Sequence, residues 1–257
     1  MRTQIVVPCY NEAERFQKSA FDDFLATHDD VGLVLVNDGS SDGTLAVLRA
    51  VEGRWPGRVR VLDLQPNRGK AEAVRAGVVS AVATATYVGY FDADLATPLG
   101  AIPEFVAILD DNPEIDIVMG ARVALLGREI ARSMRRHYLG RVFATAASVV
   151  LALPVYDTQC GAKLFRVEGV DVRELFGRPF GSRWIFDVEV IARYLAASGT
   201  PEGLYELPLK KWADVGDSRV KGGDFFRAGG EIVGIFLEYR LPTLTREWRT
   251  KFRRTRP

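Results

Sequence analysis

The chain has 257 residues, 47% hydrophobic and 26% charged, with a formal net charge of +1 and only two cysteines and two histidines. Such a length and balance suit one large soluble domain with appendages, and the near-neutral charge argues against a general nucleic-acid binder. The cysteine and histidine complement speaks against a structural zinc site, so Cys9 and Cys160 read as reduced thiols in a cytoplasmic protein. No apolar run approaches the roughly 20 residues of a bilayer span, and the strand-like start leaves no room for a signal peptide.

In chain order, Gln4 to Cys9 reads as a buried strand, followed by a helix from about Glu12 with Ala13, Phe16, Ala20 and Phe24 on one face. Val31 to Asn37 is the second strand, and Ser41 or Asp42 can cap a helix carrying Leu45 and Leu48. Val59 to Leu64 is a third strand, and Lys70 to Val82 a helix with Ala73, Val74, Gly77 and Val78 inward. Tyr87 to Phe91 is a fourth strand, Pro103 opens a helix, and Ile115 to Gly120 reads as another strand. This alternation calls for an α/β fold with a mostly parallel central sheet and helices on both faces.

The second half is less regular. Residues 128 to 142 carry Arg128, Arg132, Arg135, Arg136, His137 and Arg141, and an apolar stretch runs from Val142 to Val155. One reading is a helix with a solvated basic face leading into a core helix. The other is a segment resting on an anionic membrane surface. Gly203 to Leu209 reads as a strand, and a helical stretch from about Phe225 ends in a basic tail from Arg246 to Arg256.

The chemistry concentrates at strand ends. Asn37-Asp38-Gly39-Ser40-Ser41-Asp42-Gly43 follows the second strand and Asp92-Ala93-Asp94 the fourth, while Pro8-Cys9-Tyr10-Asn11-Glu12 closes the first. Ligands of open α/β sheets sit at the carboxyl ends of strands. Two carboxylates there offer the hard oxygen ligands that Mg2+ or Mn2+ takes together with substrate phosphates. Taken alone, one Asp-x-Asp is equally a solvated turn or a helix cap. Asp38 is placed to accept hydrogen bonds from a base or ribose, and Gly39 and Gly43 relax its turn. Asn67-Arg68-Gly69-Lys70 brings helix N–H groups and two cations to where a diphosphate could lie. It is not a Walker A loop, and no Gly-x-Gly-x-x-Gly follows the first strand.

These motifs resemble those of the family 2 glycosyltransferases with the GT-A fold, above all the polyprenyl-phosphate sugar synthases. The likeness rests on Val7 to Glu12, Val36 to Thr44, Asn67 to Lys70, Asp92 to Leu95, Gly120-Ala121-Arg122, Asp157 to Phe165 and Trp184 to Glu189. It spans roughly residues 4 to 220. The resemblance implies an inverting, metal-dependent transfer of a hexose from a UDP-glucose-like or GDP-mannose-like donor to a polyprenyl or dolichyl phosphate. Pro8, Tyr10, Glu12, Asp38, Lys70, Asp92, Ala93 and Asp94 would bind the donor, with Asp92 and Asp94 holding Mg2+ or Mn2+. Arg122, Arg135, Arg136, Trp212, Ser218 and Arg219 would face the acceptor, and Arg122, Asp157 and Asp187 are the candidates for a catalytic part. It would place the donor half at residues 1–121, the acceptor half at 122–220, and a helical, basic tail at 221–257.

Two departures matter. Gln-x-x-Arg-Trp, the mark of processive polysaccharide synthases, is absent, and Ala96-Thr97-Pro98 follows the Asp-x-Asp where mannose synthases carry Gln-His-Pro. The second favours a glucosyl-like donor. A phosphate acceptor needs little general-base help, whereas a hydroxyl acceptor needs a base, for which Asp157 and Asp187 are the choices. The alternative within the family is transfer to a soluble small molecule or sugar. Sugar-1-phosphate nucleotidyltransferases, a different class, open with a glycine-rich basic loop that this chain lacks. A non-catalytic sugar-nucleotide-binding protein is disfavoured by the intact carboxylates. The expected location is cytoplasmic, with peripheral contact at the inner face of an anionic membrane as an extension of the basic and apolar segments.

Overall fold

Short β-branched runs become the strands of one seven-stranded sheet in the computed structural model. The structure describes residues 2–131, 134–169, 171–213 and 224–242, with the side chains of 134–139 and 224–226 set aside. The sheet contains β1 (Thr3–Cys9), β2 (Val31–Asp38), β3 (Val59–Leu64), β4 (Tyr87–Phe91), β5 (Ile117–Ala121), β7 (Ala162–Arg166) and β8 (Leu204–Pro208). Its spatial order is β3-β2-β1-β4-β7-β5-β8, parallel throughout except that β7 runs against both β4 and β5. Two short strands, β6 (Glu129–Ala131) and β9 (Lys211–Ala213), pair in parallel as a separate flap.

The helices are α1 (Lys18–Thr27), α2 (Thr44–Arg54), α3 (Lys70–Ala81), α4 (Ile102–Asp111), α5 (Met134–Leu151), α6 (Val172–Gly177), α7 (Phe186–Ser198) and α8 (Asp224–Ile235). They cover both faces of the sheet. Ile5, Val7, Leu33 and Leu35 pack with Phe21, Leu48 and Phe105 on one side. The alternate residues Val6, Val34 and Val36 pack with Val74, Val78, Phe186 and Ile191 on the other. Burial on two faces explains why β2 is a continuous apolar run with every residue buried. Helix α8 belongs to this packing, since its Ala228 and Ile235 are buried in the second cluster.

The chain winds outward from β1 to β3, then returns through α3 to lay β4 on the other side of β1. That reversal leaves a crevice between the carboxyl ends of β1 and β4, where an α/β sheet takes its ligand.

Several elements differ from what the sequence pattern predicts. Helix α1 starts at Lys18, not near Glu12. The amides of Asn11, Glu12 and Ala13 are claimed by Ser40 Oγ, Thr44 Oγ1 and Asp42 Oδ2, which hold that stretch in a loop. Residues 129–131, expected in a basic helix, form β6, and the helix begins at Met134. The cap expected at Ser41 or Asp42 falls on Gly43, although Asp42 Oδ1 does accept the Thr44 amide at 2.9 Å. Of the two glycines expected to relax that turn, Gly39 is left-handed (φ 65°) and Gly43 is not (φ −72°).

Candidate active site

The loops after β1 and β2 form one hydrogen-bonded unit. Besides the three amides taken from residues 11–13, the Ser41 amide donates to Asn11 Oδ1 at 2.9 Å. Asp42 ties the unit together, accepting from Ala13 N, Thr44 N and Thr44 Oγ1. Burial alone would raise its carboxyl, but the Thr44 and Ala13 donors outweigh that and hold it below its ordinary value. Pro8 is half-buried and Tyr10 exposed beside this unit, and Glu12 pairs with Arg15 at 2.7 Å.

Asp38, expected to meet a base or ribose, is 2% exposed and turned toward the neighbouring loop. Its oxygens accept the Arg68 and Gly69 amides, both at 2.8 Å, and the Asn67 amide group at 2.9 Å. Its observed task is therefore to fold the Asn67–Lys70 loop. Gly69, with φ 94°, then delivers the chain into the first turn of α3, whose leading N–H groups have no acceptor within the helix.

Asp92 and Asp94 lie directly beyond β4. Lys70 Nζ meets Asp92 Oδ1 at 2.5 Å. That oxygen is shielded from solvent and receives no well-aligned hydrogen bond from the described residues. Close approach is built in on the far side: a Cβ on Gly161 would lie 1.9 Å from Asp92 Oδ2, so only glycine fits there. Burial, then the neighbouring Asp92 charge, holds the Asp94 carboxyl above its ordinary value, against the pull of the Ala96 amide, Lys70 and Arg15. Burial alone would lower the Lys70 ammonium, yet Asp92, Asp187 and Asp94 together hold it above its ordinary value. Two crowded carboxylates, one with an oxygen lacking an aligned donor, fit a divalent cation that takes its remaining oxygens from a diphosphate and water. Among the described residues there is no group of three or more His, Cys, Asp or Glu side chains able to hold a metal alone.

Beyond β5, Arg122 grips Asp157 with two parallel hydrogen bonds of 2.6 and 2.7 Å. Its guanidinium also lies 5.3 Å from the ring centre of Trp212, which is buried in the flap. Glu206 on β8 accepts the Tyr156 and Asp157 amides and so fixes the turn that presents Asp157. Burial alone would raise the Asp157 carboxyl, but Arg122 outweighs it and holds the group below its ordinary value. Asp187 is equally committed: it accepts from Lys163 Nζ and from the Tyr90 hydroxyl, each at 2.5 Å. Lys163 is 0% exposed and also donates to the Thr158 and Cys160 carbonyls, pinning the turn that ends at Gly161. Asp157 and Asp187 are thus built as buried ion-pair partners, not as the open bases a hydroxyl acceptor requires.

Glu12, Lys70, Asp92, Ala93, Asp94 and Arg122 thus lie at the same end of the sheet, beyond the carboxyl ends of β1, β4 and β5 and at the start of α3. Asp38 also anchors the Asn67–Lys70 loop, and the Trp212 ring lies against Arg122. The side chains of Arg135 and Arg136, and Ser218, Arg219 and the tail from Arg246 to Arg256, lie outside the described residues. Cys9 and Cys160 are both free and buried, and burial pushes the Cys160 thiol up to about 11, an unreactive state. Lys163 and Glu206 were missed by the sequence reading. A lysine inside a five-residue apolar strand was the available signal for the first; nothing local marks the second.

A mixed sheet with an Asp-x-Asp at the β4 end, a basic helix start beside it and an arginine across the crevice defines a GT-A glycosyltransferase site. Residues 4–173 match the model of Glycosyl transferase family 2, and the chain belongs to that family. It is 31% identical over 250 residues to a dolichyl-phosphate beta-glucosyltransferase of Trichomonas vaginalis, covering 93% of this chain and 72% of that protein. With the human dolichyl-phosphate beta-glucosyltransferase it shares 30% over 271 residues, covering 95% and 76%. Among solved structures, glucosyl-3-phosphoglycerate synthase of Mycobacterium tuberculosis, in complex with Mn2+, UDP and phosphoglyceric acid, superposes with a TM-score of 0.68 at 17% identity. That superposition covers 93% of this chain and 78% of the other, and bears on the fold alone.

Proposed function

We propose that this glycosyltransferase moves a hexose, glucose in the first instance, from a nucleotide-sugar to a polyprenyl or dolichyl phosphate with inversion. The observation that carries the reading is the state of Asp157 and Asp187. Both carboxylates on the acceptor side are locked in buried ion pairs, so the site favours a nucleophile that is already anionic. A phosphate monoester is one. The named activity of the relatives at 30–31% identity supports the same acceptor class.

In this reading a phosphate oxygen of the acceptor attacks the anomeric carbon as the bond from that carbon to the nucleoside diphosphate breaks. Lys70 and the first turn of α3 face the departing diphosphate, a group whose charge grows in the transition state. Asp92 and Asp94 would hold Mg2+ or Mn2+, which supplies Lewis-acid neutralisation of that charge when bound. Arg122, fixed by Asp157 and resting on Trp212, orients the acceptor phosphate. Lys163 and Asp187 act at one remove, by holding the Gly161 turn against Asp92.

No helix among the described residues is long and apolar enough to cross a membrane. Exposed apolar side chains do occur, with Val142 and Val149 on α5 both 72% exposed and Leu125 and Leu126 in the preceding loop. Together with the basic segment around Arg128 to Arg141 they support peripheral contact with an anionic bilayer, where a lipid phosphate would be met. The test is transfer from labelled UDP-glucose or GDP-mannose, with and without polyprenyl phosphate and with and without chelator. Lipid-extractable label that needs both the polyprenyl phosphate and the metal is expected. Label appearing only on water-soluble acceptors would overturn the reading.

A further inference from the structure

Lys70 is not the only cation at the start of α3. Arg183, in the loop before α7, comes in from the opposite side of the crevice. Its guanidinium lies so close to Gly69 that a Cβ there would sit 3.4 Å from Nη2 and 3.7 Å from Nε. Among the described residues Arg183 has no ion-pair partner, unlike Lys70, which is engaged with Asp92. Exposed, and without a counter-charge among the described residues, this guanidinium is set against the left-handed glycine that opens α3, where it can meet an anion resting on that helix start.

The position of Arg183 is not left to a floppy loop. Glu231, on α8, accepts the backbone amides of Arg183 at 3.2 Å, Trp184 at 3.1 Å and Ile185 at 3.3 Å. Glu189 holds the preceding turn through the Gly181 and Ser182 amides. On the other flank, the Gln159 side chain donates to the Trp184 carbonyl at 3.4 Å, joining this loop to the turn that carries Asp157 and Gly161. One carboxylate on the C-terminal helix thus fixes the backbone from which Arg183 reaches the diphosphate loop.

We propose that Arg183 is a diphosphate-binding residue of the donor site and that Glu231 is its positioning residue, which makes α8 part of the donor site. The proposal rests on the donor-site reading above and names a contact that reading does not use. The nucleoside diphosphate lies between Lys70 and Arg183, with the Gly69 backbone beneath it.

The test is calorimetric titration of the full chain with UDP and with UMP in the presence of Mn2+, comparing wild type with Arg183→Ala, Arg183→Lys and Glu231→Gln. Loss of one charge-assisted contact corresponds to about a tenfold weakening or more. The UDP-to-UMP affinity ratio is expected to fall by that factor in Arg183→Ala, to recover partly in Arg183→Lys, and to fall by a smaller factor in Glu231→Gln. A merely structural role would lower the melting temperature and leave the ratio alone. Wild-type binding of UDP with an unchanged ratio in Arg183→Ala overturns the proposal while leaving the donor-site reading in place. A variant that changes the KM for polyprenyl phosphate instead of that for the donor overturns it in favour of an acceptor contact. Failure of the wild type to bind UDP, GDP or ADP overturns the donor-site reading, and this proposal with it.

Discussion

Replacing Lys163 with methionine tests whether the floor of the site is held by charge. The two side chains are similar in length, so the substitution leaves little cavity and isolates the electrostatic loss. Lys163 Nζ makes contacts of 2.5 Å to Asp187, 3.0 Å to the Thr158 carbonyl and 2.9 Å to the Cys160 carbonyl, all shielded from water. Methionine supplies none of them, and Asp187, 4% exposed, keeps only the Tyr90 hydroxyl among the described residues. Breaking one side of a buried ion pair costs about 3–5 kcal/mol. Against a total stability of roughly 5–15 kcal/mol this is a large fraction. With a urea m-value of about 3 kcal/mol/M, the unfolding midpoint followed by tryptophan fluorescence should drop by about 1–1.7 M. Lys163→Met combined with Asp187→Asn removes the stranded charge yet keeps an acceptor for Tyr90, and should recover at least half of the loss. A single variant within about 1 kcal/mol of wild type, or a double variant no more stable than the single one, would refute the argument.

Gly161→Ala drives a methyl group into the Asp92 carboxylate, so turnover should fall by about 100-fold or more with the far-ultraviolet dichroism spectrum retained; unchanged kcat would show that Asp92 has room to move. Glu189 is held below its ordinary value, with burial opposing and the Ser182 and Gly181 donors and Arg193 outweighing it. Its contribution is therefore complete above the unfolded carboxyl value of about 4.3 and is lost as pH falls through the folded one. The stability gap between wild type and Glu189→Gln should accordingly narrow from about pH 5 to pH 3; a gap constant with pH would contradict this. Co-sedimentation with anionic vesicles should decline with added salt and with Val142→Asp plus Val149→Asp. Equal recovery on neutral and anionic vesicles at low salt would remove the membrane contact.

Much of the architecture was legible because α/β sheets write it plainly. Continuous apolar runs gave β1, β2 and β4, and the acidic turns after them gave the crevice. Reading failed where long-range contacts decide. Residues 11–13 look helical but lose their amides to Ser40, Asp42 and Thr44. The segment Glu129–Ala131 is too short to declare itself a strand without Lys211–Ala213 beside it. The loop contacts of Asp38 were not legible, since the donors that face it come from residues about 30 positions away. Glu206 acts through the Tyr156 and Asp157 amides, which no side-chain pattern announces, and the Asp187 partner of Lys163 lies 24 residues away.

The antiparallel direction of β7 has a further consequence. Because β7 begins where β4 ends, with the Asp92 amide bonded to the Gly161 carbonyl, the chain that leaves β5 at Ala121 comes back to the sheet at the edge it departed from. Residues 122–161 are a closed excursion, its two feet clasped by Arg122 and Asp157. Such a segment can be lengthened, shortened or exchanged at a cost that grows only slowly with its length, since the ends are already together. Its packing residues must be kept, because Ala147, Leu151 and Val155 are buried in the cluster that covers the second face of the sheet. A chimera exchanging residues 123–156 with those of a relative, with Ala147, Leu151 and Val155 retained, would ask how far acceptor choice travels with the excursion.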